Sequence, residues 1–451
     1  MPKKPNRYRF LMREQLAELF SAQGKQIHLV GIGGVGMAGL AFLLHAKGHT
    51  VTGSEQVSSS LTDWLAAEGI QVFFDHDPAH VHAGIDLVIR TTAVQLDNSE
   101  CQRAVSLNIP VVRRGEAFPV LLQGHRVIAV TGTHGKTTTT AMIAHLLRMN
   151  GIPAGHFVGG ESEQLGGVAR LEEIMVIEAD ESDGTLVHYH PEILVVTNIE
   201  FDHMEHFADE TEMLGVFRQA IEQSERVVYC ADDRQASALC SGVVHAAPYG
   251  GVLDQYDGTA RQCSFTFSGR TYQLGLPGKH NAQNALGAFA VGSMLGAKQL
   301  CLADFQSVDR RFEWVIDDEE HVVISDYAHH PTEIRAVLEV AQTLPGKRRV
   351  VVYQPHRYTR TRMLMNQFPP AFEGADILIL APVYAASETP IEGGTSADLA
   401  RRIPGCLLAG CLDEAWALVR EHLQSGDALF ILGAGDVVQL VDRAKNELPA
   451  R

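Results

Sequence analysis

Gly132-Thr133-His134-Gly135-Lys136-Thr137 lies directly behind an apolar run, Arg126 to Val130, and directly ahead of a helix-compatible stretch, Thr138 to Asn150. A glycine-bounded loop between a strand and a helix turns backbone N–H groups toward an anion. A Lys in the loop neutralises phosphate, and a Thr hydroxyl can ligate Mg²⁺. The chemistry this points to is the use of ATP or GTP. The full eight-residue phosphate-loop pattern has Gly where Val130 stands, so an ordinary turn and helix cap is the competing reading. The run Thr137 to Thr140 argues against it, because four β-branched residues open a helix poorly on propensity alone.

Other constellations carry less specific signals. Gly31-x-Gly33-x-x-Gly36, with Glu55 nineteen residues further on, satisfies the dinucleotide fingerprint. Alone it reads as a nicotinamide or flavin site, yet any diphosphate exploits the same close backbone approach. Glu178 and His203 follow what read as adjacent strands, where a carboxylate and an imidazole could hold a divalent metal. Asp180, Glu181, Asp183 and Asp202 compete for that role. Asn281 and Asn284 share a helix face at i, i+3. Arg310-Arg311-Phe312-Glu313 sits at a boundary, where an Arg is either solvated or reaches back to phosphate. Asp326-Tyr327-Ala328-His329-His330-Pro331-Thr332-Glu333 follows a strand and opens a helix. Its neighbouring His residues point apart, so substrate contact is favoured over joint metal ligation. Arg357 and Arg360, three apart in His356-Arg357-Tyr358-Thr359-Arg360, suit carboxylate recognition.

The elements that must position these residues alternate strand and helix, which implies parallel sheets with right-handed crossovers. Polar clusters repeatedly follow apolar strands, and that C-terminal edge is where open α/β sheets bind ligands. The expected fold is α/β in three domains: a Rossmann-like unit over residues 1–122, a phosphate-loop unit with a mostly parallel sheet over 123–312, and a second Rossmann-like unit over 313–451. A chain of 451 residues with 45% apolar content supports real cores. The formal charge of −17 argues against non-specific nucleic-acid binding. No apolar run is long enough for a membrane span, and no signal core follows the basic Met1-Pro2-Lys3-Lys4 start. Seven cysteines without a Cys-x-x-Cys pair read as reduced thiols, so a cytoplasmic protein is expected.

Taken in order, these motifs resemble the Mur ligase family over nearly the whole chain, and within it the branch that adds alanine. His28 to Met37 is similar to the family's UDP-binding start, and Thr131 to Thr137 to its ATP loop, which accounts for Val130. Glu178-Ala179-Asp180-Glu181-Ser182-Asp183, Phe201-Asp202-His203-Met204, Gly278-Lys279-His280-Asn281 and Arg310-Arg311-Phe312 resemble the family's central motifs. The Asp326 to Glu333 and His356 to Arg360 segments resemble the alanine-adding branch; the sister branch that adds a peptide shares His329-His330-Pro331 but normally lacks His356-Arg357-Tyr358-Thr359-Arg360 and has Cys where this chain has Gly34.

The resemblance implies ATP-dependent amide formation between L-alanine and the carboxylate of UDP-N-acetylmuramate, with Mg²⁺ and an acyl phosphate. It implies that Gly132, Thr133, His134, Gly135, Lys136, Thr137, Thr138, Asn281 and Asn284 hold ATP, with Arg311 and Asp326 on its far side. Lys136 would bridge the β- and γ-phosphates, and Thr137, Glu178 and His203 would hold metal. Gly33, Gly34, Gly36, Glu55 and Thr92 would serve the UDP-sugar, with Thr91 and Arg114 available nearby. Tyr327, His329, Arg357 and Arg360 would hold the muramoyl carboxylate and the alanine. The expected catalytic set is Lys136, Glu178, His203, Arg311, Asp326 and His329. No nucleic-acid or membrane partner is expected, and the oligomeric state stays open between monomer and weak dimer. A nicotinamide-dependent oxidoreductase is the alternative of a different class, but it leaves Lys136 and Thr137 unemployed.

Overall fold

The computed structural model describes residues 11–182, 184–202 and 206–448. Three parallel-rich sheets succeed one another along the chain. The first runs Gln71–Phe73, Thr50–Ser54, Gln26–Val30, Leu87–Arg90, Val111–Arg113 in spatial order, all parallel. Its chain order reverses between Gln26–Val30 and Leu87–Arg90, which opens a crevice at the C-terminal edge where the Gly31 to Gly36 loop emerges. Gly31 has φ +80°, and a Cβ there would lie 2.6 Å from Thr91 Cγ2, so only glycine makes this turn.

The second sheet runs Ala246–Tyr249, Arg226–Cys230, Ile193–Val196, Arg126–Thr131, Ile174–Glu178, Ala154–Phe157, Ala169–Arg170. Only the last pairing is antiparallel. Strand Arg126–Thr131 lies between Ile174–Glu178 and Ile193–Val196. The two strands expected to be neighbours are therefore separated by the one that carries the phosphate loop, because central strands with no polar face give no sequence clue to lateral order. A three-stranded antiparallel sheet, Gln255–Leu274, was not expected. The third large sheet runs Glu313–Asp317, Val322–Asp326, Ala428–Leu432, Arg349–Tyr353, Ile377–Leu380, Leu407–Leu408, with only the Glu313–Asp317 edge antiparallel.

One apolar cluster continues from the first sheet into the second and includes Leu29, Phe118, Phe157, Ile177 and Phe217. The Phe118 and Phe157 rings lie 4.1 Å apart across that junction. Helix Val35–Ala46 packs so closely there that a Cβ on Gly39 would meet Phe157 at 2.8 Å. The third unit has two cores, one of which also takes in Ala260 of the second, and around the phosphate loop it meets the second through ion pairs. All seven cysteines are free thiols. Among the described residues no helix is long and apolar enough to cross a membrane.

Candidate active site

The phosphate loop is held from three sides. Gly132 and Gly135 take φ +127° and +78°, and Gly135 caps the helix Lys136–Met149. The Asn198 side chain accepts the His134 N–H at 2.8 Å and donates to the His134 carbonyl at 2.9 Å. Asn284 stands over Gly135, where a Cβ would lie 2.8 Å from its Oδ1. Asn284 also donates to Asn281 Oδ1 at 3.3 Å, so the expected helix face does turn toward the loop.

Lys136 Nζ donates to the Gly132 carbonyl at 2.6 Å and to Glu181 Oε2 at 3.0 Å, with Asp180 at 3.7 Å. Burial disfavours its charge, but the carboxylates of Glu181, Asp180 and Glu178 outweigh burial and hold the ammonium protonated well above its ordinary range. Glu181 is thus taken by the Lys, which separates it from the set competing for metal. Glu178 ends its strand with Oε2 accepting the Gly159 N–H at 2.8 Å. Glu178 lines the same cleft as the Thr137 hydroxyl. Two hard oxygen donors in one cleft fit Mg²⁺. His203, expected to complete the set, and Asp183 lie outside the described residues.

That cleft, about 460 Å³, is lined by all three units. The first contributes Gly34, Gly36, Thr91 and Arg114; the second Lys136, Thr137 and Glu178; the third Tyr327, His329, Arg357 and Arg360. A Cβ on Gly36 would lie 3.3 Å from Arg114 Nε, so this guanidinium covers the start of helix Val35–Ala46 and presents positive charge where a diphosphate would approach. Thr91, and not the exposed Thr92, faces the cleft, since the chain alternates sides as it leaves the strand. Glu55 folds onto the glycine loop, where its Oε2 accepts the Gly33 N–H at 3.0 Å. Its side chain is thereby held against the loop that carries Gly33, Gly34 and Gly36.

A second cavity, about 280 Å³, opens on the other side of the loop between His134, Thr138, Asn281, Arg311, Asp326 and Glu333. Asp326 accepts the Phe312 and Ala328 N–H groups, both at 2.7 Å. Burial raises its pKa to about 6 in spite of the Arg311 charge. Its carboxylate pins the crossing between the second and third units as well as lining the cavity. Arg310 and Arg311 stack over the Tyr327 ring at 4.8 and 5.0 Å, and Arg311 reaches Thr137 Oγ1 at 3.5 Å.

The third unit meets the second through ion pairs. Arg360 makes a two-pronged pair with Asp202, at 2.8 and 2.9 Å, with both side chains buried. The fork expected to take a substrate carboxylate is thus engaged by a protein carboxylate. Arg357, at φ +67°, heads its short helix and lies 3.6 Å from Glu388. His329 Nδ1 lies 3.1 Å from the Tyr327 carbonyl and 3.3 Å from Glu333. Burial lowers its pKa to about 3, so it is neutral. His134 Nδ1 faces Glu333 Oε1 at 3.1 Å, and Glu200 accepts from Thr332 at 2.9 Å. Burial opposes charge on His134, but the Glu200 and Glu333 carboxylates raise its pKa to about 9. Glu333 and Glu200 were given no role from sequence, and Asp202 only that of a competitor for metal; Glu333 had a local signal, as the third residue of a helix opened by His330-Pro331.

The chain belongs to the Mur ligase family: family models described as the catalytic domain, the middle domain and the glutamate ligase domain match residues 26–126, 130–292 and 310–435. It is 39% identical to the UDP-N-acetylmuramate–L-alanine ligase of Gloeobacter violaceus over 93% of this chain and 95% of that protein. The solved structure of the UDP-N-acetylmuramate-alanine ligase of Thermotoga maritima superposes with a TM-score of 0.81 at 30% identity, covering 94% of this chain and 99% of that one. A murein peptide ligase from Psychrobacter arcticus shares the fold, with a TM-score of 0.71 at 23% identity.

Proposed function

We propose that this protein joins L-alanine to the carboxylate of UDP-N-acetylmuramate at the expense of ATP, in peptidoglycan precursor synthesis. The observation that carries the reading is the single cleft in which Arg114 and Gly36, Lys136 and Glu178, and His329 and Arg357 face one another. The relatives named above support the choice of substrates. In this reading the muramoyl carboxylate oxygen attacks the γ-phosphorus and the bond to the β-phosphate oxygen breaks, giving an acyl phosphate and ADP. The alanine amine then attacks the acyl carbon, loses a proton, and expels phosphate. A carboxylate is a poor acyl electrophile, which is why phosphorylation must come first.

Lys136 neutralises charge on the transferring group, and Asn281 and Asn284 shape the nucleotide side of the loop. Arg311 adds positive charge from the third-unit side. Thr137, Glu178 and His203 would hold Mg²⁺, which supplies charge stabilisation at the phosphoryl group when bound. Neutral His329 can accept a hydrogen bond from the alanine amine, whose proton leaves with the departing phosphate. Arg114 and the Gly33 to Gly36 loop take the diphosphate of the UDP-sugar.

The test is phosphate release from ATP in the presence of UDP-N-acetylmuramate, with and without L-alanine. Release that requires L-alanine is expected. Release that requires a tripeptide instead moves the assignment to the peptide-adding branch. Tight NADH binding without UDP-N-acetylmuramate binding removes the ligase reading of the first unit.

A further inference from the structure

We propose that His134, Glu200 and His330 form a second metal site, selective for Zn²⁺-like cations over Mg²⁺, that staples the phosphate loop to the third unit. One ligand atom from each lies within 4.8 Å of the other two. Glu200 Oε2 stands 3.6 Å from His134 Nε2 and 3.6 Å from His330 Nδ1. Bonds of roughly 2.0–2.1 Å at tetrahedral angles put ligand atoms ~3.3 Å apart. The two Glu200 separations must contract by a few tenths of an ångström, and the two imidazole nitrogens, within 4.8 Å of each other, by up to ~1.5 Å.

Two further observations point to a cation. Among the described residues His134 Nε2 is buried with no partner at hydrogen-bond length, although it is aimed at Glu200 at 3.6 Å. The other ring nitrogen faces Glu333 at 3.1 Å, the carboxylate–histidine arrangement that orients a metal-binding imidazole. Binding gives up a long contact, 3.3 Å, from the Thr332 N–H to His330 Nδ1, makes Glu200 Oε2 share its lone pairs with the Thr332 hydroxyl, and displaces the Nε2 proton of His134. Two imidazoles and one carboxylate favour zinc, cobalt or nickel, whereas Mg²⁺ prefers an all-oxygen shell. With two imidazoles to one carboxylate, the set differs from Thr137, Glu178 and His203, which offer two oxygens to one imidazole. His134 belongs to the phosphate loop, Glu200 follows strand Ile193–Val196, and His330 heads helix Pro331–Ala341, so one ion ties both units together. His134 and Glu200 also line the smaller cavity, so an ion held there restrains the loop beside the nucleotide.

The experiment titrates Co²⁺ into the full-length protein in excess Mg²⁺, reading visible absorption and, by dialysis, stoichiometry. One Mg²⁺-resistant Co²⁺ per chain is expected, displaced by Zn²⁺. His330→Gln and Glu200→Gln should each abolish the absorption, Glu333→Gln should weaken Co²⁺ by about 10- to 100-fold, and His203→Ala should leave it unchanged. Circular dichroism checks that each variant is folded, and two independent ligand variants guard against one that is not. The proposal is overturned if no Mg²⁺-resistant Co²⁺ binds. It is equally overturned if binding survives both Glu200→Gln and His330→Gln, or is lost in His203→Ala.

Discussion

The second unit has two neighbours and meets them by opposite means. Against the first unit it shares a continuous apolar cluster, with Phe118 on Phe157 and helix Val35–Ala46 in direct contact. Against the third unit, around the phosphate loop, it offers Asp202 to Arg360, His134 to Glu333 and Glu200 to Thr332. Apolar contacts are non-directional and lost only by exposing area to water. Charged contacts can be exchanged for substrate, nucleotide or water at a smaller net cost. The first junction is built to stay and the second to be remade, which suits a reaction that must admit ATP and an amino acid and then exclude water.

Lys136→Ala strips the cation from the loop between the two junctions and should have the largest effect. We expect a loss on the order of 10³ or more in kcat with an unchanged far-UV spectrum. Near-normal turnover would remove the loop from the chemistry. Phe118→Ala strikes the apolar junction and should cost about 3 kcal/mol or more in chemical denaturation. A loss confined to catalysis would mean that this junction opens too. Asp202→Asn strikes the polar one. If that contact is remade in each cycle, KM for the amino acid or the UDP-sugar should change about tenfold while the main unfolding transition moves little; breaking a static buried pair would instead cost about 3–5 kcal/mol.

The last effect concerns pH. In the metal-free folded chain His134 is held protonated to about pH 9, above the 6.5 of an unperturbed imidazole, and a bound metal would displace that proton. Its stabilising contribution is complete below pH 6.5, where both states carry the proton. Between 6.5 and about 9 only the folded state keeps it, so stability should fall as pH rises through that window. His134→Gln should flatten the urea midpoint over the same range. An equal slope in both proteins would place the titration elsewhere.

Much of this molecule was legible in local pattern. Strand-loop-helix signals around Gly31 to Gly36 and Gly132 to Thr137 exposed two α/β units, and the strands from Val322 to Leu432 a third. Those signals are local because glycine φ freedom and apolar runs act within a few residues. Long-range pairing was not legible. Lateral strand order put Arg126–Thr131 between two strands expected to touch, and a Glu residue far along the chain, Glu181, proved to be the partner of Lys136. Arg360 illustrates the limit: its spacing from Arg357 signals carboxylate recognition, and the tertiary structure supplies a carboxylate, but from Asp202. The sequence by itself determined the chemical vocabulary, three units and the residue types that end their strands. Only the tertiary structure decided which charges face one another, because an ion pair depends on separation in space and leaves no period in the chain.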